Sequence, residues 1–341
     1  MAPRCLIFLE SRIYFRCCRV VWSEDTIYDE FPCEHHGNTG MSQSLPVLRS
    51  TAGHGCSTYQ QSVVRYSSRK LTDEGDVLNA MAGMLQRIAR DVGSSVFEGM
   101  LTSYFDLCLL FWHLAAPAPQ RRRGFPSWSW AGWKNNAPQW PPELDGQEAD
   151  KWMATKNHIV WYQSCLQTRE LKLICGPREH RERYNQRYEA AEDHQNDTQL
   201  QNLQTKPTFN VFLGDLPRTY PPLQFWTWSV MITRLEKLHE GFAAVVDAEN
   251  EKCGAVHFDA KGYPLETVRR HEALILSKAG YCATIASPFE TTDKADQPFY
   301  WIIIVEWEGM QAERRALGYI YQSRIDHLLP PGRVWKEIVL V

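Results

Sequence analysis

No stretch of this sequence is apolar over the length a bilayer-spanning helix needs. The longest candidate, Tyr104 to Ala118, is broken by Asp106 and His113 and falls short of roughly 20 apolar residues. Neither sign of charge is in excess. Lys+Arg 37 against Asp+Glu 40 leave a net charge of -3, which argues against a generic binder of nucleic acid or anionic membrane. A secretory leader is not apparent, because only Cys5 to Leu9 separate Arg4 from Glu10, whereas an h-region takes roughly 7–15 apolar residues. The expected compartment is therefore the cytoplasm. Phosphate-cradling loops are missing as well: there is neither a G-x-G-x-x-G after a strand nor a G-x-x-x-x-G-K-S/T. A G-x-S-x-G nucleophile elbow is also missing, which leaves a serine hydrolase of that class without support.

Cysteine is too sparse for a disulfide scaffold. The 10 cysteines among 341 residues are scattered and lie mostly in apolar segments, so they read as reduced, buried small hydrophobes. With 44% hydrophobic and 23% charged residues the composition is that of a globular chain. What stands out is tryptophan, at 13. Large aromatics belong to cores or to binding faces, and position decides which.

Cys5 to Leu9 and Ile13 to Cys18 read as two short strands around a turn at Glu10, Ser11 and Arg12. Residues 29 to 56, rich in Pro, Gly, Ser, Asn and His, read as a long loop. Tyr59, Val63 and Tyr66 then fall on one helical face. The clearest element follows. Val77, Leu78, Met81, Met84, Leu85, Ile88 and Val92 form an apolar stripe, with Thr72 or Asp73 to cap it and Gly93 to end it. Tyr104 to Leu114 reads as a short buried helix. Pro138, Pro141, Pro142 and Gly146 mark a composition break. Past it, apolar runs separated by turn residues predict strands: Leu171–Cys175, Phe209–Leu213, Ala243–Val246, Ala255–Phe258, Ala273–Leu276, Tyr281–Ile285, Tyr300–Trp307 and Val334–Val341. The expected class is α+β: an N-terminal hairpin and three-helix region over 1–140, a linker over 141–160, and a β-rich part over 161–341. Residues 178–206 have only Leu200 and Leu203 as sizeable aliphatics and read as an exposed insertion, helical or disordered.

Several constellations carry possible chemistry. Cys33, His36, His54 and Cys56 offer zinc-type donors, but their spacing lacks the C-x2-4-C and H-x3-5-H pattern of structural sites. Glu306 and Glu308 share a strand face beside Trp307, as the carboxylate pair of a glycosidase would. The plainer reading is a strand whose wet face emerges into solvent. His257 and Asp259 alternate with Phe258 without a recognisable nucleophile. Arg121, Arg122 and Arg123 form a basic run that reads as a solvated flank more readily than as an address or phosphate patch.

The remaining motif is Gly124, Phe125, Pro126, Ser127, Trp128, Ser129, Trp130, Ala131, Gly132 and Trp133. As a strand it would place Trp128 and Trp130 on one face, with Ser127, Ser129 and Ala131 on the other. Rings this large contribute most when packed, so the expected reading is a core strand with Trp128 and Trp130 buried. Open, it is an aromatic platform for a sugar or a base. This motif, after its arginines, resembles a signature of fungal heterokaryon-incompatibility (HET-domain) proteins. Arg4 to Phe8, Tyr14 to Cys17, Trp22 to Asp25, Tyr59, Val63, Tyr66, Ser67, Arg69, Leu71, Thr72, Asp76, Leu78 to Ala80, Gly83 and Trp335 to Ile338 resemble further family segments in order. The family's defining upstream blocks, a Trp-Val-Asp-type strand and a Gly-Trp-Thr-x-Gln-Glu block, have no counterpart here. The chain thus resembles the C-terminal part of such a protein, without the core that carries the death signal. That resemblance implies a regulatory or scaffolding role in non-self recognition (allorecognition) and programmed cell death, with protein partners. The missing nucleotide, nucleophile and metal signatures lead us to expect no catalysis, no metal and no cofactor, and the charge balance and interrupted apolar run no nucleic-acid or membrane partner. The alternative expectation is a carbohydrate-binding or carbohydrate-active protein using the tryptophans with Glu306 and Glu308.

Overall fold

A computed structural model describes the backbone of Cys5–Leu9, Arg12–Arg16 and Val21–Ser23, and then, isolated positions apart, 55–113, 119–140, 146–188, 206–209, 220–259, 270–279 and 297–341. The chain divides into two compact units, Met1–Ala52 and Gly53–Val341. In the first, β1 (Cys5–Leu9), β2 (Arg12–Arg16) and β3 (Val21–Ser23) form an antiparallel sheet in that order. Leu9 pairs with Arg12 across the expected turn, and the third strand adds to the hairpin through Phe15 opposite Trp22.

The second unit begins with α1 (Gly55–Ser67) and α2 (Val77–Asp91). On α1, Tyr59 and Val63 are buried; on α2, Val77, Met81, Leu85 and Ile88 are. Met84 and Leu78 lie at the edge of this stripe, half-buried. Asp73 caps the short 3-10 turn Glu74–Asp76 ahead of α2 by accepting the Gly75 N–H at 2.8 Å, and Gly93 leaves the helix with φ +63. The third expected helix is shorter than its apolar run. Only α3 (Phe105–Leu109) is helical, and Trp112–His113 is already extended. The stretch read as a linker holds α4 (Gly146–Lys156), whose Ala149, Asp150 and Met153 are buried.

The sheet follows. Its strands are β4 (Trp161–Cys165), β5 (Glu170–Cys175), β6 (Leu223–Ile232), β7 (Arg234–His239), β8 (Phe242–Val246), β9 (Lys252–Phe258), β10 (His271–Ala279), β11 (Phe299–Glu308), β12 (Gln311–Tyr321) and β13 (Val334–Leu340). They form one 10-stranded sheet in the order β5-β4-β6-β10-β11-β12-β9-β8-β7, with β13 paired to both β6 and β12. The pairing therefore closes on itself through β6, β10, β11, β12 and β13. Every neighbour is antiparallel except β12 and β13, which meet in parallel at Ala312 and Leu340. Long β6 makes the circuit possible: its start pairs with β4 and its end with β10, while β13 runs along its other edge. Val230, Ile232, Val245, Val256, Ile275, Ile302, Ile304 and Ile320 fill the sheet's core.

Between β5 and β6 the chain forms α5 (Pro177–Tyr188). The start of 178–206, read as an exposed insertion, helical or disordered, is therefore helical, with His180 buried and Arg183, Tyr184 and Tyr188 half-buried. Little aliphatic surface is needed here, because α5 is held by charge: the buried carboxylate of Asp150 on α4 takes Arg183 at 3.1 Å, Arg187 at 2.7 Å and the Tyr188 hydroxyl at 2.8 Å. Of the expected strands, Tyr281–Ile285 lies outside the described residues, as does Phe209–Leu213 apart from its first residue.

Leu85 is 2% exposed on the face of α2 turned to the interior. Leu85→Asp places an unpaired charge there, and the expected loss is several kcal/mol, about 3–5. A urea titration checks it: the midpoint falls well below that of the unaltered protein, and an unchanged midpoint would show that the stripe does not carry the helical core.

Candidate functional site

Pro126 to Trp133 are buried throughout, with Trp128 at 0% and Trp130 at 1% exposure. The segment is not the strand that alternation predicts. It is a run of tight turns ending in a 3-10 helix at Trp130–Gly132. The small residues explain this. Ser129 Oγ accepts the Ala131 N–H at 3.1 Å and donates to the Glu98 carbonyl at 2.7 Å, so it caps the turn in place of lining a flat face. Ser127 Oγ donates to the Val341 carbonyl and accepts the Arg314 N–H at 2.9 Å. Gly132 cannot be replaced without a shift, since a Cβ would stand 2.2 Å from the Pro126 carbonyl oxygen. Trp130 Nε1 donates to the Gly99 carbonyl at 3.0 Å. Gly99 in turn has φ +83, and a Cβ there would meet the Trp130 ring at 3.1 Å. From the motif a chain of rings leads to the sheet: Trp128 to Phe105 at 6.0 Å, Phe105 to Trp161 at 5.4 Å, and Trp161 to Phe225 at 4.4 Å.

The basic run ahead of the motif is a correction. Arg121 and Arg122 are not a solvated flank. Arg121 donates to the Gly132 carbonyl at 3.0 Å and to Glu313 at 3.0 Å. Arg122 reaches the carbonyls of Ala131 and Trp133 at 2.7 and 2.8 Å and Glu74 at 2.7 Å. Only Arg123 is exposed. Turns inside a core leave carbonyls without ladder partners, and a guanidinium supplies several donors at once.

Next to the motif lies an ion pair that sequence reasoning missed. Arg314 and Asp259 are both 0% exposed. Arg314 Nε meets Asp259 Oδ2 at 2.9 Å, its Nη1 meets the Leu109 carbonyl at 2.7 Å, and its Nη2 donates to the Phe111 carbonyl. The guanidinium lies 3.8 Å from the Phe111 ring centre. Asp259 therefore serves Arg314, while His257, read beside it, packs its ring on Phe242 at 4.2 Å and Trp112 at 5.3 Å. His113 Nδ1 stands 3.7 Å from Asp259 Oδ1. Burial lowers its pKa, against the pull of the Asp259 carboxylate. Burial would raise the Asp259 carboxyl, but Arg314 and then His113 hold it below the usual range.

A second cluster joins three elements: Asp106 of α3, Cys175 at the end of β5 and His180 of α5, all buried, with their ligand atoms within 4.8 Å of one another. Its sequence signal was faint, since Cys175 and His180 are five residues apart in the chain but Asp106 lies far from both. The proposed zinc donors Cys33, His36 and His54 lie outside the described residues, and Cys56 is buried in α1. Of the two carboxylates, Glu306 is linked to the motif's arginine flank through Arg315, Glu313 and Arg121. Glu306 pairs with Arg315 at 2.8 Å, and Glu308 is exposed. Among the described tryptophans, Trp112, Trp152, Trp226, Trp228, Trp307 and Trp335 are half-buried, with Trp226 stacked on Trp335 at 6.3 Å.

No family model, curated protein or solved structure matches this chain. Among the described residues no helix is long and apolar enough to cross a membrane.

Two predictions arise here. Arg314→Lys keeps the charge but loses the fork that serves Asp259 and two carbonyls, so it should cost about 3–5 kcal/mol; a chemical-denaturation curve matching that of the unaltered protein would contradict it. The second concerns pH. His158 Nε2 lies 3.1 Å from Thr227 Oγ1, and burial, with the Lys278 ammonium adding to it, pushes its pKa down to about 4. The unfolded chain, near 6.5, then binds more protons than the folded one between these values. Its contribution is full above about pH 6.5 and is lost as pH falls toward about 4. In His158→Gln the unfolding free energy should fall less steeply over that window than in the unaltered protein. Equal slopes would place the titration elsewhere.

Proposed function

We propose that this chain is a non-catalytic regulatory or scaffolding portion of a fungal heterokaryon-incompatibility protein, acting in non-self recognition and programmed cell death through protein partners in the cytoplasm. The observation that carries this reading is the use made of the tryptophan motif. The residues on which the family resemblance rests are engaged with their own chain: Trp128 and Trp130 are in the interior, and Arg121 and Arg122 hold the motif's carbonyls. A motif conscripted so fully is a joint between segments and offers no open platform to a ligand. Glu306, tied to Arg315, is drawn away from the role of an acid or base in the alternative carbohydrate reading. Neither a cofactor nor a metal is part of the proposed activity.

Expression in a filamentous fungus tests this reading. Hyphae carrying the chain are fused with strains of differing compatibility type, and death is scored by vital-dye uptake. The expected result is that the chain raises or lowers the death seen in particular pairings, with no effect in unfused hyphae. The purified protein should turn over neither NAD nor a glycan panel. Indifference to every pairing overturns the recognition role, turnover above a heat-killed control overturns the non-catalytic one, and glycan binding lost on replacing Trp226 or Trp335 would favour the carbohydrate alternative.

A further inference from the structure

We propose that Asp106, Cys175 and His180 form a buried structural site for a divalent transition metal, with zinc favoured by the donors. The three residues are 1%, 4% and 2% exposed, and their ligand atoms lie within 4.8 Å of one another. Oxygen, sulfur and imidazole nitrogen together are a zinc-type set, whereas calcium and magnesium call for oxygen alone. Two atoms of the cluster point to a missing partner. Asp106 Oδ2 and His180 Nε2 are buried and make no hydrogen bond, and they face each other at 3.7 Å. That is long for a hydrogen bond. It is close to the roughly 3.4 Å that separates two corners of a tetrahedron with ligand bonds of about 2.0–2.2 Å. A cation between them would satisfy both atoms and neutralise a carboxylate and a thiolate that are otherwise costly to bury together.

The surroundings fix the ligands. Trp161 Nε1 donates to Asp106 Oδ1 at 3.0 Å, which holds the carboxylate and turns Oδ2 toward His180. Cys175 closes β5, Gly176 makes the turn and Pro177 starts α5, so His180 arrives after one helical turn facing the same point. Three protein ligands leave one tetrahedral corner for a water. With so little exposure the site is closed to a substrate, and its role is to clamp the start of α5 to α3, as Asp150 clamps its later turns.

Cobalt(II) is the probe for the full-length protein, after removal of bound metal with a chelator and confirmation by circular dichroism that the chain is folded. One equivalent should bind, with tetrahedral d–d bands and a thiolate-to-cobalt charge-transfer band. Zinc should displace it. Cys175→Ser should abolish the charge-transfer band. Asp106→Asn and His180→Gln should weaken binding, while Cys165→Ser, at the other end of the β4–β5 hairpin, should leave it unchanged. Trp161→Phe, which removes only the hydrogen bond behind Asp106, should lower affinity roughly 10-fold to 100-fold. A folded wild-type protein that takes up no cobalt overturns the proposal whatever the variants do. So does a charge-transfer band that survives Cys175→Ser or disappears in Cys165→Ser.

Discussion

A guanidinium with no exposure to water is expensive to bury, and Arg314 is bearable only because every direction around it is occupied. Asp259 takes its charge, the carbonyls of Leu109 and Phe111 take further donors, and the Phe111 ring lies against its face. These partners come from different parts of the fold. Arg314 sits on β12, Asp259 directly follows β9, and the two carbonyls belong to the chain leaving α3. The pair thereby fixes the helical segment against the sheet, in keeping with Gly53–Val341 forming a single compact unit. It also accounts for the shortness of α3. A helix continued past Leu109 would have used the Leu109 and Phe111 carbonyls in its own ladder, and here Arg314 uses them instead.

The same device recurs at other irregular stretches of backbone inside the fold. The turns of the tryptophan motif leave carbonyls at Ala131, Gly132 and Trp133, which Arg121 and Arg122 satisfy. The carbonyls of Ser103 and Val92 are met by Arg183 and Arg187 of α5, which grip Asp150 as well. Arginine suits this work because its fork offers several donors in a fixed plane and stays charged at any working pH. A charged residue that sequence reading assigns to the surface can therefore be what makes a buried turn affordable.

That is also where sequence reading reached its limit. The stripe on α2 was legible, since Val77, Met81, Leu85 and Ile88 follow one helical face and Gly93 stands at its end. Strands such as Phe299–Glu308 and Phe242–Val246 were legible as apolar runs between turn residues. Strand β12 was not. Glu313, Arg314 and Arg315 break its pattern, and only a partner 55 residues away, Asp259, makes Arg314 an interior residue. The tryptophan motif was legible as a packed element and misread as a strand, because alternation cannot distinguish serines that line a face from serines that cap turns. The trio Asp106, Cys175 and His180 could not be assembled from spacing, since Asp106 lies far from the other two in the chain and the sheet brings them together.

Helix α3, only 5 residues long, is the point at which these features meet. Phe105 turns to Trp128 of the motif and to Trp161, Asp106 takes the Trp161 indole N–H and faces His180, and the Leu109 carbonyl receives Arg314. Successive side chains on so short an element point in different directions, so one turn of helix can serve three neighbours at once. Its own hydrogen bonds are too few to hold it, because a single turn in isolation does not outweigh its nucleation cost. Its position is set instead by the groups it serves: rings on one side, a carboxylate cluster on another and a guanidinium at its end. Helix α3 is thus a contact shared by the buried cluster, the tryptophan motif and Arg314, and Arg314 also reaches the motif directly through Ser127.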